Sequence, residues 1–360
     1  MASLVIGCDE FLGAEVTRQI LLSGDLVKGI SLHRQNRPDA AEQTRDDQPA
    51  DDQPAIDQPA NDQPNQDQTL CEPTLFQQRI RSLQDNANAR HFEFLGGLAD
   101  IELEKESRHK LADTKITEIK HLFFIPEYDS TLEYHESVLA QTLKLLKLCT
   151  IIKPEHLVFC SHYGIYHPKQ ELCSVLTPTP EYPLSHSSGI VHAIESLLHG
   201  YCAQHQLPCT VLRLFELYGK GASELNITGR AHAHVTAAKE FDLSAMQNLE
   251  LDFVQVSDAA KIIIRAMAHL PRQIKNPNGN STLSDGQELP WQVFNLGTGI
   301  GTSTLELLQR LSKSMNMPLK TANTLSSQKR SWIADPRELM THMGLIPRTR
   351  LQDGLRQLSS

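Results

Sequence analysis

The alternation of short apolar runs with longer helical patterns constrains the fold of this 360-residue chain most. Strands are predicted at 3–6, 27–32, 91–95, 121–125, 156–160 and 209–214, and helices at 14–23, 75–83, 132–148 and 189–205. Strands separated by helices of this length form βαβ units, whose crossovers build a parallel sheet with helices on both faces. The sequence therefore predicts an α/β protein with a Rossmann-like, doubly wound parallel sheet.

The regular alternation ends near residue 216, after which the pattern contains more loop and a few helices. We therefore expect a first domain at 1–216 and a smaller C-terminal, substrate-type lobe at 217–360, with some segments of the latter returning to the sheet. Doubly wound sheets bind ligands at the carboxyl ends of their strands. The second lobe is expected to lie over that edge.

A degenerate repeat interrupts the first domain after the second predicted strand. Residues 46–68 read DDQPA, DDQPA, IDQPA, NDQPN and QDQ. Proline at every fifth position prevents a helix, and the segment has almost nothing apolar to bury, so it predicts a disordered insertion over about 36–72. The segment contains seven Asp and no Lys, Arg or Glu, so it carries most of the net charge of −9. A neutral loop expansion and an interaction segment both fit it.

Composition excludes several classes of protein. Outside the repeat the chain is close to neutral, which lacks the basic surface that duplex nucleic acid needs, so an RNA-associated role is the remotest alternative. No apolar run approaches the length of a membrane span. The seven cysteines are scattered and form no CxxC pair, which favours a reducing, cytoplasmic location. His232 and His234 have no carboxylate or Cys partner at zinc-ligand spacing, so no metal site is predicted.

Six ordered segments resemble a known family. They are LVIGCDEFLG at 4–13, LVFCSHYGIY at 157–166, LPCTVLRLFELYG at 207–219, DFVQVSDAA at 252–260, FNLGTG at 294–299, and GLIPRT at 344–349 with GL at 354–355. At this spacing they resemble motifs of the extended short-chain dehydrogenase/reductases, which include nucleotide-sugar epimerases and dehydratases. The resemblance implies the Rossmann-like fold, an NAD or NADP cofactor, a nucleotide-sugar ligand and a dimer formed through helices 132–148 and 189–205.

The phosphate-binding turn departs from the family pattern GxxGxxG, in which glycines let the backbone approach the diphosphate. Gly7 and Gly13 stand at the first and third places, but Glu10 takes the middle one, beside Asp9. A side chain there blocks close approach, and two carboxylates repel a diphosphate. The alternative is that both glycines serve only strand–helix packing.

Other expected cofactor contacts are also altered. Arg34, after the second strand, favours NADP over NAD if a dinucleotide binds, or is an ordinary surface arginine. The position of the adenine-contacting Asp falls on Gly97, and a small pair that lines the cleft becomes Ile125-Pro126. No cofactor is therefore firmly predicted.

The catalytic set of the family is a Tyr acid/base whose pKa is lowered by a Lys four residues on, with a Ser or Thr that orients the substrate. The matching positions hold Ser187 for the Tyr, Val191 for the Lys and His162 for the Ser or Thr, with Ser161 adjacent. Tyr182 is the nearest phenol, as a displaced acid or as an ordinary loop residue. Standard hydride-transfer chemistry is therefore predicted to be lost.

Several histidines occur in the segments that flank this cleft in the family, namely His162, His167, His186 and His192. Their imidazoles could form a pH-sensitive pocket, or they are ordinary surface and core residues.

The sequence thus predicts a family member that has lost standard catalysis and acts as a ligand-binding, partner-binding or regulatory protein. A homodimer, or a heterodimer with a paralogue, is expected. The alternative is an active NAD(P)-dependent nucleotide-sugar epimerase, dehydratase or reductase that uses substituted residues.

Overall fold

The fold is that of a computed structural model. It describes residues 2–32, 71–85, 88–101, 119–127, 132–168, 172–175, 183–222, 226–237, 241–242, 248–268, 291–319, 321–322 and 329–358. Arg34, Tyr182 and the repeat at 46–68 lie outside these residues.

A sheet of seven parallel strands forms the centre of the molecule. Its strands are β1 (Ala2–Ile6), β2 (Leu26–Ser31), β3 (Phe92–Gly97), β4 (His121–Phe124), β5 (His156–His162), β6 (Cys209–Leu214) and β10 (Trp291–Leu296). They are arranged in the order β10-β6-β5-β4-β1-β2-β3, and every neighbouring pair is parallel. The direction of winding reverses between β1 and β4, which is where such sheets bind ligands. The predicted doubly wound, Rossmann-like sheet is confirmed.

Helices cover both faces of this sheet. The described helices are α1 (Phe11–Leu22), α2 (Cys71–Gln84), α3 (Leu132–Ile152), α4 (His186–His205), α5 (Ile227–Thr236), α6 (Val256–Ala268), α7 (Thr304–Met315), α8 (Arg337–Met343) and α9 (Leu351–Arg356). Helices α1 and α6 cover one face of the main sheet, and α3 and α4 cover the other. Alternate strand residues point to opposite faces. Accordingly, Val5 belongs to the core under α1 and α6, whereas Leu4 and Ile6 belong to the core under α3 and α4.

A second, smaller sheet is built from the C-terminal part of the chain. Its central strand is β9 (Asn248–Gln255), which pairs in parallel with β7 (Glu216–Tyr218) and β13 (Lys329–Trp332) and antiparallel with β11 (Gly301–Ser303). A two-stranded pair joins β8 (Phe241–Asp242) to β12 (Thr321–Ala322). The division of the chain near residue 216 stays a prediction, although β10 pairs with β6 in the main sheet, as expected of a returning segment.

The boundaries of several elements differ from those predicted. Helix α1 begins three residues earlier than expected, because Phe11 and Leu12 also pack into the core. Strand β3 ends at Gly97 rather than at 95. Helix α2 begins at Cys71, inside the segment expected to be irregular to about 72. Sequence periodicity predicts where a helix or strand lies but not its first and last residues. Tertiary packing decides whether those terminal residues belong to the element.

The described helices include none with the length and apolarity that crossing a bilayer requires. The cysteines at 8, 149, 160, 173, 202 and 209 are buried and unbridged. Within the described ranges, no cluster of three or more His, Cys, Asp or Glu could hold a metal ion. His232 and His234 lie on helix α5.

Candidate functional site

The loop between β1 and α1 lies at the carboxyl edge of the sheet, and the glycines of the family pattern, Gly7 in the loop and Gly13 in the first turn of α1, face the backbone of the chain itself. A Cβ on Gly7, whose φ is +89°, would lie 2.2 Å from the carbonyl oxygen of Ile125. A Cβ on Gly13 would lie 1.8 Å from the carbonyl oxygen of Gly7. The joint between strand and helix therefore needs both glycines whatever else binds there. This geometry supports the packing role for Gly7 and Gly13.

The two carboxylates of this loop point into the protein. Asp9 is fully buried, and its Oδ2 accepts a hydrogen bond from Ser31 Oγ at 2.7 Å. Glu10 is 1% exposed, and its Oε1 accepts a hydrogen bond from Tyr134 Oη at 2.6 Å. The middle position of the glycine pattern thus holds a side chain that fills the space beside the loop.

Glu127 follows β4 and carries a second carboxylate into the same space. Its Oε2 lies 3.4 Å from the backbone nitrogen of Phe11, the first residue of α1. Its backbone N–H donates to Tyr134 Oη at 3.1 Å. Burial, together with the nearby charge of Glu10, raises the pKa of Glu127 from 4.5 to about 8. Burial, followed by the Glu10 charge, also raises the pKa of Tyr134.

Arg79 on α2 provides the cation of this cluster. Its Nη1 donates to the carbonyl oxygen of Asp9 at 2.9 Å and lies 3.4 Å from Glu127 Oε2. Its Nη2 donates to the carbonyl oxygen of Gly221 at 3.0 Å. The guanidinium carbon stands 5.9 Å from the ring centre of Phe11, which is a cation–π contact. We call Glu10, Arg79, Glu127 and Tyr134 the loop cluster.

A small cavity adjoins the loop cluster. It is lined by Glu10, Phe11, Leu12, Pro126, Glu127, His162, Leu214, Phe215, Glu216 and Leu217. Its volume is about 30 Å³, which is room for about two water molecules. Pro126 lies in this wall, as expected for the bulky replacement of a small residue.

The residues present do not fit a dinucleotide diphosphate. A Rossmann site offers free amides at a helix N-terminus and a glycine surface that the phosphates can touch. Here the first amide of α1 faces the Glu127 carboxylate, and the Glu10 side chain occupies the glycine surface. The Glu10 and Glu127 carboxyl groups make this place acidic, and an acidic place disfavours a diphosphate. We therefore derive no chemical step through NAD or NADP.

Ser161 belongs to a second polar cluster, deep in the sheet. Its hydroxyl is fully buried and donates to Glu195 Oε1. Glu195 in turn forms an ion pair with Arg213 Nη2 at 2.7 Å. Arg213 Nη1 donates to Tyr166 Oη at 2.8 Å, and that hydroxyl donates to Asn295 Oδ1 at 2.8 Å. We call these residues the sheet cluster; Ser161 contributes there to structure and lies outside the cavity lining.

His162, at the position of the family Ser or Thr, does lie in the cavity wall. Its Nδ1 accepts a hydrogen bond from the backbone N–H of Gly164 at 3.0 Å, so the neutral ring carries its proton on Nε2. Burial lowers its pKa from 6.5 to about 3. His162 is therefore a neutral donor over the physiological range, and it could orient a substrate oxygen but could not gain a proton there.

The two positions that match the Tyr and Lys lie on the first turns of α4. Ser187 is half-buried, and Val191 is 2% exposed and packs in the core under α1 and α6. Ser188, which the sequence did not single out, comes closer to His162. A Cβ on Gly164 would touch both, at 2.8 Å from Ser188 Oγ and 2.9 Å from His162 Nδ1.

Among the four flanking histidines, His162 is the one that lines the cavity. The ring of His167 is exposed and lies 2.9 Å from the carbonyl oxygen of Pro168. His186 is exposed and His192 is half-buried. The structure thus places His162 in the cavity wall, and a pH-sensitive pocket formed by all four histidines stays a prediction.

Glu216 is another residue that the motif comparison passed over. It stands where the family motif LRxFNVYG has Asn, and it lines the cavity. Its Oε2 accepts from Tyr163 Oη at 2.9 Å, and its Oε1 accepts from Asn226 Nδ2 at 3.1 Å. The replacement of an amide by a carboxylate makes this wall of the cavity more acidic than the motif implies.

Comparison with known proteins identifies the family. The model of the NAD dependent epimerase/dehydratase family matches residues 4–278. This chain therefore belongs to that family, as the six sequence motifs predicted.

The curated relatives are distant. An uncharacterized 37.6 kDa protein from Escherichia coli O111:H- is 23% identical over 231 residues, which cover 62% of this chain and 67% of the relative. A probable UDP-glucuronate 4-epimerase from Rhizobium meliloti is 22% identical over 188 residues, which cover 51% of this chain and 54% of the relative. The match to the second relative thus spans about half its length.

Solved structures share the fold over the whole chain. The UDP-glucuronic acid 4-epimerase from Bacillus cereus, in complex with UDP-glucuronic acid and NAD, matches with a TM-score of 0.70 at 19% identity over 99% of this chain and 96% of that one. The UDP-glucose 4-epimerase from Thermotoga maritima, with UDP-glucose, matches with a TM-score of 0.68 at 16% identity over 100% and 97%. At this identity the likeness establishes the architecture.

Proposed function

We propose that this chain is an epimerase/dehydratase-family protein that does not perform the standard hydride transfer of the family and acts by binding a nucleotide-sugar-type ligand or a protein partner. The observation that carries the proposal is the pair Ser187 and Val191 at the positions of the Tyr and Lys. An alkyl hydroxyl does not release a proton near neutral pH, and a buried valine can neither lower a pKa nor hold a ribose. Buried, unbridged thiols support a cytoplasmic location.

A second function is favoured by the comparisons rather than by the site. Relatives and structural neighbours are named as UDP-sugar 4-epimerases, which supports an active NAD(P)-dependent nucleotide-sugar epimerase, dehydratase or reductase. Such an enzyme would use substituted residues of the cavity wall, of which Glu127, His162 and Glu216 can exchange protons or donate hydrogen bonds.

One assay separates the two functions. The purified chain is incubated with UDP-glucuronate or UDP-glucose and NAD, and the C4 epimer is followed by proton NMR, with the Bacillus cereus epimerase as positive control. We expect no turnover. Conversion within the range of the control would establish the second function and reject the first.

Ligand binding is measured in parallel, without NAD. Titration calorimetry with UDP-glucuronate is expected to give saturable binding, because the C-terminal part of the chain forms its own sheet even where the loop differs. Free glucuronate, which lacks the nucleotide part of a nucleotide sugar, is the matched control ligand. Absence of binding by both would leave a protein partner as the ligand of the proposed function.

We further propose that two copies associate through α3 and α4, which pack side by side on one face of the sheet. Leu143 and Leu197 on these helices are 53% and 37% exposed. Light scattering of the full chain is expected to give twice the chain mass, and Leu143→Asp is expected to halve it. A single copy for the unaltered chain would contradict the homodimer and favour a heterodimer with a paralogue.

A further inference from the structure

We infer that the loop cluster is an internal substitute for the dinucleotide diphosphate: the Glu127 carboxyl group takes the place of a phosphate at the start of α1, and Arg79 holds it there. This inference rests on the proposed function and deepens it, because it states why the cofactor place of a non-standard family member is filled. It concerns Glu10, Arg79, Glu127 and Tyr134.

The first argument is the start of α1. Helix N-termini attract anions because their first amides have no partner within the helix. The residue before the helix, Glu10, makes no side-chain cap. The carboxylate that faces the Phe11 amide comes instead from Glu127, at 3.4 Å. The chain thus supplies its own carboxyl oxygen at the place where the family fold receives a phosphate.

The second argument is the way in which Arg79 joins three separate segments. Its guanidinium contacts the loop after β1 at Asp9, the segment after β4 at Glu127 and the loop after β7 at Gly221. The side chain of Arg79 is 13% exposed and that of Glu127 is 17% exposed. An arginine that pairs with a carboxylate in this setting uses donors that would otherwise serve a phosphate.

The third argument is charge balance. Tyr134 accepts a hydrogen bond from the Glu127 backbone and donates one to Glu10, so it fixes the two carboxyl groups beside each other. Burial, followed by the charge of Glu10, raises the pKa of Glu127 to about 8, so the Glu127 carboxyl group keeps its proton near neutral pH. A protonated Glu127 adds no negative charge beside Arg79, so the cluster is stable without an external ion.

The test measures whether removing the internal carboxyl groups creates a site for an external anion. Titration calorimetry of the full chain is performed with inorganic pyrophosphate, NAD and NADP. We expect the unaltered chain to bind pyrophosphate and NAD weakly. The variant Glu10→Gly/Glu127→Ala is expected to bind both at least tenfold more tightly, because it frees the Phe11 amide and the Arg79 guanidinium. Addition of Arg79→Ala is expected to remove most of that gain.

The matched control is Glu306→Ala/Arg310→Ala, which removes a carboxylate–guanidinium pair of 2.7 Å from the surface of α7. It is expected to leave binding unchanged. If the unaltered chain binds NAD as tightly as the double variant, or if the gain survives Arg79→Ala, the inference is wrong. Should the double variant not fold, Glu127→Gln keeps the shape and removes the charge at about pH 9, where Glu127 is ionised. At least threefold tighter pyrophosphate binding is expected at that pH; unchanged binding would overturn the inference.

The two proposals fail separately. Turnover of a UDP-sugar by the unaltered chain rejects the proposed function. Tight NAD binding by the unaltered chain without turnover rejects the internal substitute and leaves the proposed function in place.

Discussion

The loop cluster and the sheet cluster contain the same kinds of group, but their balance differs. In the sheet cluster one carboxylate, Glu195, meets one guanidinium, Arg213, through two of its nitrogens at 2.7 and 3.1 Å. The loop cluster has two carboxyl groups, Glu10 and Glu127, but one guanidinium, Arg79, whose closest approach to Glu127 is 3.4 Å. The sheet cluster is thus an ion pair with equal numbers of both charges, whereas the loop cluster has one more carboxyl group than guanidinium groups.

This difference indicates which cluster is fixed and which one can respond. A buried pair with full hydrogen bonding behaves as part of the core, and removing one partner leaves an uncompensated charge. A carboxyl pair that needs a proton to persist depends on pH, because loss of that proton restores repulsion. The structural role of the sheet cluster and the responsive role of the loop cluster lead to four measurements.

The largest effect is expected from Arg213→Met. It leaves Glu195 buried without its counter-charge, and breaking such a pair costs about 3–5 kcal/mol of unfolding free energy. Urea unfolding measures the loss. Arg213→Met/Glu195→Leu, which removes both charges, is expected to recover part of it; equal losses would show that charge is not the cause.

The second effect is a pH slope that belongs to Glu127. Its pKa is raised from 4.5 to about 8 in the folded chain, so the folded state binds more protons than the unfolded one between these values. Its stabilisation is therefore complete below pH 4.5 and is lost as pH rises through about 8. Unfolding free energies between about pH 6.5 and about pH 9 are expected to fall in the unaltered chain and to fall less in Glu127→Gln.

The pH range above about 6.5 also avoids a residue, His156, whose effect on the unfolding free energy has the opposite sign. Burial lowers the pKa of His156 from 6.5 to about 4, so His156 adds stability as pH rises from about 4 to 6.5 and is silent above. An identical slope in Glu127→Gln above pH 6.5 would assign the pH dependence to another residue.

A third, smaller effect is expected from Arg79→Met. At about pH 9 it leaves two carboxylates without their cation and is expected to cost about 2 kcal/mol, since each is still partly paired within the cluster. At about pH 6 Glu127 keeps its proton, and the loss is expected to be less than half as large. Denaturant unfolding at the two pH values measures the difference; Arg310→Met on the surface is the control, with a loss near zero at both.

The smallest effects come from a matched pair of substitutions, Tyr134→Phe and Tyr166→Phe. Each removes one buried hydroxyl from one cluster and is expected to cost about 1–2 kcal/mol. The loss for Tyr166→Phe is expected to be constant from about pH 6.5 to about pH 9. The loss for Tyr134→Phe is expected to grow with pH as Glu127 ionises. Parallel pH profiles would remove the distinction between the two clusters.

The fold could be predicted because its signals are local. Strand and helix periodicities, read over a few residues each, gave the parallel sheet, and motifs such as FNLGTG at 294–299 located the strand that returns to it. Tertiary contacts then set the ends of the elements, as at Phe11, whose ring packs under the sheet.

The loop cluster could not be predicted because its partners are far apart in sequence. Arg79 lies 70 positions from Asp9 and 142 from Gly221, and Tyr134 lies 124 positions from Glu10. No periodicity links such residues. A signal was present at Glu127, which follows the unusual Ile125-Pro126 pair, but only the fold shows that its carboxylate reaches α1. The positions of Ser187 and Val191, in contrast, followed from motif spacing alone.

The two glycines of the first loop have a consequence for anyone who redesigns this protein or sorts others like it. Because a Cβ on Gly7 or Gly13 would meet a backbone carbonyl oxygen of the chain at 2.2 or 1.8 Å, a variant with no affinity for any nucleotide must still keep both glycines to fold. The first and third glycines of a dinucleotide-binding pattern thus indicate a strand-to-helix connection. The residue between them indicates whether a dinucleotide can bind.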